Sequence, residues 1–82
     1  MREIVFDTET TGLDWRDDRV IELGGIELVN RFPTGRSFHR YINPQGLEIN
    51  AEAQAVHGIF MADLADKPSF ADIVEEFIEF ID

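Results

Sequence analysis

Two carboxylates, Asp7 and Glu9, are the side chains in this 82-residue chain best suited to carrying out a reaction. They stand two apart in Phe6-Asp7-Thr8-Glu9-Thr10-Thr11-Gly12-Leu13, which reads as a β-strand running into a turn. On a strand, alternate side chains share one face, with Cα atoms about 6.5 Å apart. Carboxylates held in this way can share hard cations such as Mg2+, which take one or two carboxylates and complete their shell with water or phosphate oxygens. Two such ions about 3.5–4 Å apart would activate a water and stabilise the leaving oxygen of an in-line phosphodiester displacement. A pair of acids at alternate positions also describes an ordinary solvated strand face. The flanks favour a site. Asp7 closes the apolar run Ile4-Val5-Phe6, a costly place for an unpaired charge, and three threonines set hydroxyls beside the carboxylates.

The elements that must hold these residues follow from periodicity. Glu3 to Asp7 reads as a short strand, with Ile4 and Phe6 facing one way and Val5 and Asp7 the other. Thr10-Thr11-Gly12 ends it, and Asp14 to Arg19 is a polar loop. That loop is not an EF-hand, because Arg fills its third and sixth positions, and Trp15 reads as loop packing. Val20 to Val29 is a second strand, in which Gly24-Gly25 signals a bulge or a close backbone approach. Phe32-Pro33-Thr34-Gly35 has turn chemistry, and Ser37 to Ile42 alternates as a third strand. Short connections make the three an antiparallel meander. Beyond Asn43-Pro44-Gln45-Gly46, Asn50 can cap a short helix over Ala51 to His57 that Gly58 would end. Ser69 and Asp72 form a capping-box pattern at the start of a second helix. There Phe70, Ile73, Val74, Phe77, Ile78, Phe80 and Ile81 fall on one face, and Asp72, Glu75, Glu76, Glu79 and Asp82 on the other.

Bulk composition narrows the field. The chain is 44% hydrophobic and 29% charged, ordinary values for a globular protein. It has no cysteine, which rules out disulfides and thiolate metal sites. No run approaches the ~20 apolar residues of a membrane span, and the first residues lack the apolar core of a signal peptide. These features fit a cytoplasmic protein. The net charge of −10 lacks the basic footprint of proteins that grip nucleic acid by its phosphates. An acidic protein can still process DNA when bound cations neutralise the phosphate at the reacting bond.

Ile4-Val5-Phe6-Asp7-Thr8-Glu9-Thr10-Thr11-Gly12-Leu13 resembles the first exonuclease motif of the DEDD superfamily. Arg19-Val20-Ile21-Glu22-Leu23-Gly24, Phe38-His39-Arg40-Tyr41-Ile42-Asn43-Pro44 and Val56-His57-Gly58-Ile59 continue it, and are similar to the epsilon-type proofreading subunits of bacterial DNA polymerase III. The resemblance covers essentially the whole chain. It implies an α/β, ribonuclease H-like mixed sheet, and removal of mononucleotides from a DNA 3′ end with two Mg2+ or Mn2+ ions. Asp7 would then bridge both metals and Glu9 bind one, as catalytic and metal residues. Thr8, Thr10, Thr11 and Gly12, with Asp7 and Glu9, would lie along the terminal nucleotide, and Glu52 and His57 would contact substrate. The implied partners are the DNA 3′ end, single-stranded or frayed, and the polymerase III catalytic and other core subunits.

The resemblance also implies what is missing. The family's general base is a later histidine followed five positions on by aspartate, whereas position 62 after His57 is Ala. The long helix reaches Asp82 with no Gly, Asn, Lys or Arg to close it, against the usual pattern. Residues 1–82 are therefore expected to form the amino-terminal part of one exonuclease domain, truncated at its C-terminal end: three antiparallel strands and two helices, inactive alone. Two alternatives stand beside this reading, an exoribonuclease relative within the superfamily and a non-catalytic interaction module.

Overall fold

The computed structural model describes residues 1–14, 16 and 18–82, so the packing expected of Trp15 lies outside the described residues. Three strands, β1 (Arg2–Thr10), β2 (Val20–Val29) and β3 (Phe32–Tyr41), form an antiparallel sheet in the order β1-β2-β3. Helices α1 (Ala51–His57), α2 (Met61–Leu64) and α3 (Phe70–Ile81) follow.

β1 runs three residues beyond the expected end at Asp7, so the whole Asp-Thr-Glu-Thr segment is in the ladder. The expected turn at Phe32–Gly35 is corrected. The chain reverses at Asn30 and Arg31, both with positive φ (50° and 74°), between the paired Val29 and Phe32. Such a two-residue reversal matches the twist of the strands it joins. Pro33 then sits in β3, an edge strand of this sheet, where a missing N–H is tolerated.

No bulge falls at Gly24-Gly25; the register shifts lie between Glu9 and Thr10 and between Ile26 and Leu28. Gly25 serves close approach instead, since a Cβ there would stand 3.1 Å from Phe80 Cε2.

α1 has both expected caps. Asn50 Oδ1 accepts the Glu52 N–H at 2.8 Å, and Gly58, at φ 70°, donates its N–H to Gln54 O at 2.8 Å. The expectation of two helices is also corrected: α2 is a third, a single turn too short to show periodicity. α3 starts where the capping pattern placed it, with Ser69 N–H donating to Asp72 Oδ2 at 3.2 Å.

The core forms two clusters. Leu23, Phe38 and Ile42 pack with Ile73 and Phe80 of α3, with Ile4, Val20 and Phe77 against them. Ile21 packs with Ile59 and Leu64, which seats the α1–α2 segment. At about 25 cal/mol per Å2 of apolar surface, this burial is the main force holding helices to sheet. α3 is broader than the sheet beneath it: Phe70, Ile78 and Ile81 of its apolar arc remain exposed.

The bare C-terminus of α3 is not bare in three dimensions. Arg2 donates to Ile81 O (2.8 Å) and Phe80 O (2.7 Å), and Arg36 donates to Phe80 O (2.8 Å) and Glu79 O (3.3 Å). Glu27 Oε2 holds both guanidiniums, at 2.6 and 3.0 Å. The positive charge that favours a helix C-terminus is supplied from the strands.

Candidate active site

Strand alternation puts Asp7 and Glu9 on the sheet face opposite the core residues Ile4, Leu23 and Phe38. Register then fixes their neighbours. Asp7 lies beside Gly24 and, through it, His39; Glu9 lies beside Glu22 and, through it, Tyr41. Asp7, Thr8, Glu9, Glu22, Gly24 and His39 line a cleft of about 130 Å3. Asp7 is exposed and Glu9 half-buried. Asp7 Oδ1 accepts the Thr8 N–H at 2.9 Å, which orients the carboxylate. Glu22 Oε2 meets His39 Nε2 at 2.6 Å. The His39 and Tyr41 rings stand edge to face at 5.0 Å. The charge of Glu22 raises the Tyr41 phenol above its ordinary range, with burial and a hydrogen bond to Glu22 adding to the effect.

The turn after β1 is held from inside. Thr10 Oγ1 donates to Gly12 O at 2.6 Å. Thr11 is fully buried; its hydroxyl donates to Asp18 Oδ1 at 2.7 Å and accepts the Arg19 N–H at 2.9 Å. Asp18 Oδ2 also accepts the Asp14 N–H at 2.8 Å. Gly12 leaves room for this ring, since a Cβ there would stand 2.5 Å from Asp18 Oδ2 and force that carboxylate to shift.

α1 is tied to the same turn. Asn50 N–H donates to Thr11 O at 2.6 Å, and His57 Nε2 lies 3.1 Å from Thr10 O. Gly12, Leu13, Asn50, Glu52, Ala53 and Val56 line a second cleft of about 230 Å3. Its rim is apolar, with Leu13 96% and Val56 85% exposed.

The expected site residues therefore divide into three groups. Asp7, Thr8 and Glu9 share the first cleft, and Gly12 and Glu52 the second. Thr10, Thr11 and His57 lie between them, with side chains engaged by the protein itself. Sequence reasoning missed Glu22, Gly24 and His39 as neighbours of the carboxylate pair. The i, i+2 spacing of Glu22 and Gly24 within β2 gave a face, but only the register with β1, and with β3 for His39, shows which one. As oxygen donors, Asp7 and Glu9 fit Mg2+ or Mn2+, and Gly24 leaves space beside them that a side chain would fill. Among the described residues, no group of three or more His, Cys, Asp or Glu side chains is placed to hold a metal ion.

Comparison with known proteins identifies the family and the fold. The Exonuclease family model (RNase_T) matches residues 4–82. The chain is 52% identical over 82 residues to the DNA polymerase III subunit epsilon of Rickettsia conorii, an alignment covering 99% of this chain and 35% of that protein. It is 45% identical over 85 residues to the same subunit of Escherichia coli, covering 98% and 35%. The chain thus spans about a third of the length of these relatives. Among solved structures, exonuclease X in complex with 5′ overhanging duplex DNA superposes with a TM-score of 0.79 at 26% identity, over 90% of this chain and 42% of that one. An exonuclease I from Methylocaldum szegediense gives 0.83 at 25%, over 95% and 17%. The architecture is the ribonuclease H-like one these exonucleases share, and the chain belongs to the Exonuclease (RNase_T) family.

Proposed function

We propose that this chain is the amino-terminal part of a proofreading 3′–5′ exonuclease that removes mononucleotides from DNA 3′ ends during replication. The observation that carries the reading is the placement of Asp7 and Glu9 side by side in an open cleft at the end of β1, in a chain similar to polymerase III epsilon subunits. The working environment is then the cytoplasm, where replication takes place. Among the described residues no helix is long and apolar enough to cross a membrane.

Asp7 and Glu9 would hold the divalent ions, and the Thr8 N–H fixes the Asp7 carboxylate. Bound Mg2+ or Mn2+ would supply Lewis-acid activation of water, stabilisation of the leaving 3′ oxygen and positive charge against the −10 of the chain. The terminal nucleotide lies from the Asp7 cleft across Thr8, Thr10 and Gly12 toward Glu52 and His57, while Thr11, expected to lie along it, is fully buried and out of its reach. Leu13 and Val56, both exposed beside Glu52, give a base an apolar surface. Thr11 and His57 contribute by holding the turn, because their polar atoms are bonded within the protein. The polymerase III catalytic subunit is the partner that delivers frayed 3′ ends.

Two carboxylates are fewer ligands than a two-ion site requires, so the remaining ligands and the general base come from outside these 82 residues. The coding sequence downstream tests this. An aspartate motif followed by His-x-x-x-x-Asp supports the reading, and a stop codon directly after Asp82 overturns it. The protein translated from the uninterrupted frame should release mononucleotides from 3′-labelled single-stranded DNA with Mn2+. Asp7→Ala should lower that rate by at least about 100-fold, as loss of electrostatic stabilisation at a reacting centre does. The 82 residues alone should show no release.

A further inference from the structure

We propose that Glu22, held by His39, is a positioning residue of the Asp7–Glu9 metal site, its carboxylate accepting hydrogen bonds from the water shell of the bound ion. This rests on the reading of Asp7 and Glu9 as metal ligands given above. Four observations lead to it.

Glu22 is the direct cross-strand partner of Glu9, and cross-strand pairs on one face have Cβ atoms about 4.5–5.5 Å apart. Two carboxylates so placed repel each other unless a cation or ordered water lies between them. The same cleft is lined by both carboxylates and Asp7. Its volume of about 130 Å3 is several times the ~30 Å3 share of one water. It therefore accommodates a small ion with part of its hydration shell, and Mg2+ characteristically keeps several of its waters.

Gly24 makes the space. It lies between Asp7 and His39 in the ladder, and a Cβ there would project into the cleft 3.5 Å from His39 Cδ2. That distance is ordinary van der Waals contact, so folding alone does not demand glycine at position 24. His39, finally, fixes Glu22. Its Nε2 engages Oε2 at 2.6 Å, Tyr41 also hydrogen-bonds the carboxylate, and the Glu22 side chain keeps 24% of its surface accessible. A carboxylate offers about four acceptor sites, so Glu22 can still accept from donors in the cleft. A partner that orients groups around a metal commonly changes affinity by about 10–100-fold when removed.

The test is Mn2+ affinity of the full chain, read from the free-ion paramagnetic resonance signal, with circular dichroism confirming that each variant is folded. Glu22→Gln should weaken Mn2+ binding by about 10-fold. His39→Ala should weaken it by a smaller factor, and His39→Gln, whose amide can still donate to Glu22, should restore most of the loss. Restoration by glutamine separates positioning from a general effect of the imidazole. If Glu22→Gln binds Mn2+ within twofold of the parent while Asp7→Asn abolishes binding, the role of Glu22 is overturned and the metal site stands. If Asp7→Asn also binds like the parent, the site itself is wrong and the proposal falls with it. Should Glu22→Gln fail to fold, the His39 pair decides: equal affinity for His39→Ala, His39→Gln and the parent overturns it.

Discussion

His57 Nε2 lies 3.1 Å from the carbonyl oxygen of Thr10, forty-seven residues away, while His57 Nδ1 accepts the Ile59 N–H at 3.0 Å. The second bond leaves Nδ1 without a proton, so Nε2 carries it and donates to Thr10. The imidazole thus clamps the end of α1 to the end of β1, where the carboxylate motif passes into its turn. His57→Ala should destabilise the fold by about 1–2 kcal/mol, the sum of two ordinary hydrogen bonds. Equilibrium urea unfolding measures the loss. Faster amide exchange at Ile59 would locate it.

The Glu27 carboxylate holds Arg2 and Arg36 against the C-terminus of α3. Its hydrogen bond from Arg2, then those from Thr34 and Arg36, lower its pKa below the ordinary 4.5. The folded state therefore binds the Glu27 proton less readily than the unfolded state. The stabilisation is complete above the unfolded pKa and is lost as pH falls through the lowered one. Glu27→Gln should accordingly melt a few degrees below the parent at pH 7. The difference should close as the pH is taken below 4.5. Thermal unfolding followed by circular dichroism across that range gives the comparison.

Neighbouring glycines should differ in cost. A Cβ on Gly25 would meet Phe80 at 3.1 Å, inside the core, whereas one on Gly24 would meet His39 at 3.5 Å, in the open cleft. Gly25→Val should push Phe80 and α3 off the sheet and cost about 1–3 kcal/mol, as overpacking does. Gly24→Ala should leave stability within about 0.5 kcal/mol of the parent, the range of surface substitutions. Urea midpoints for the two proteins test the ordering.

Asp18 should matter to the turn out of proportion to its place in a polar loop. Asp18→Ala removes the acceptor for the buried Thr11 hydroxyl and for the Asp14 N–H. Orphaning a buried donor costs about 1–3 kcal/mol, and that much stability should be lost in urea unfolding. Thr11→Val removes the acceptor of the Arg19 N–H as well, so the double variant should be less destabilised than the sum of the single ones.

What the sequence determined by itself was whatever depends on residues a few positions apart. The i, i+2 rule set Asp7 and Glu9 on one face. Asn50 and Gly58 bounded α1, and the apolar stripe from Phe70 to Ile81 defined α3. These features rest on steric and capping preferences within a turn or a strand, which any window of the chain displays. Phe32–Gly35 misled because turn-type residues are also acceptable in an edge strand, and the reversal used Asn30 and Arg31 at positive φ instead.

Tertiary structure decided the rest. The joining of Glu22, Gly24 and His39 to the carboxylate pair depends on cross-strand register, and a shift of one residue would send each of them to the other face. The cations that cap α3 come from Arg2 and Arg36, 78 and 44 residues from the Phe80 carbonyl they share. Thr11 is buried only because Asp18 and Asn50 fold back upon it. Each of these contacts is fixed by the summed packing of α3 and α1–α2 on the sheet, a long-range balance that no local pattern carries.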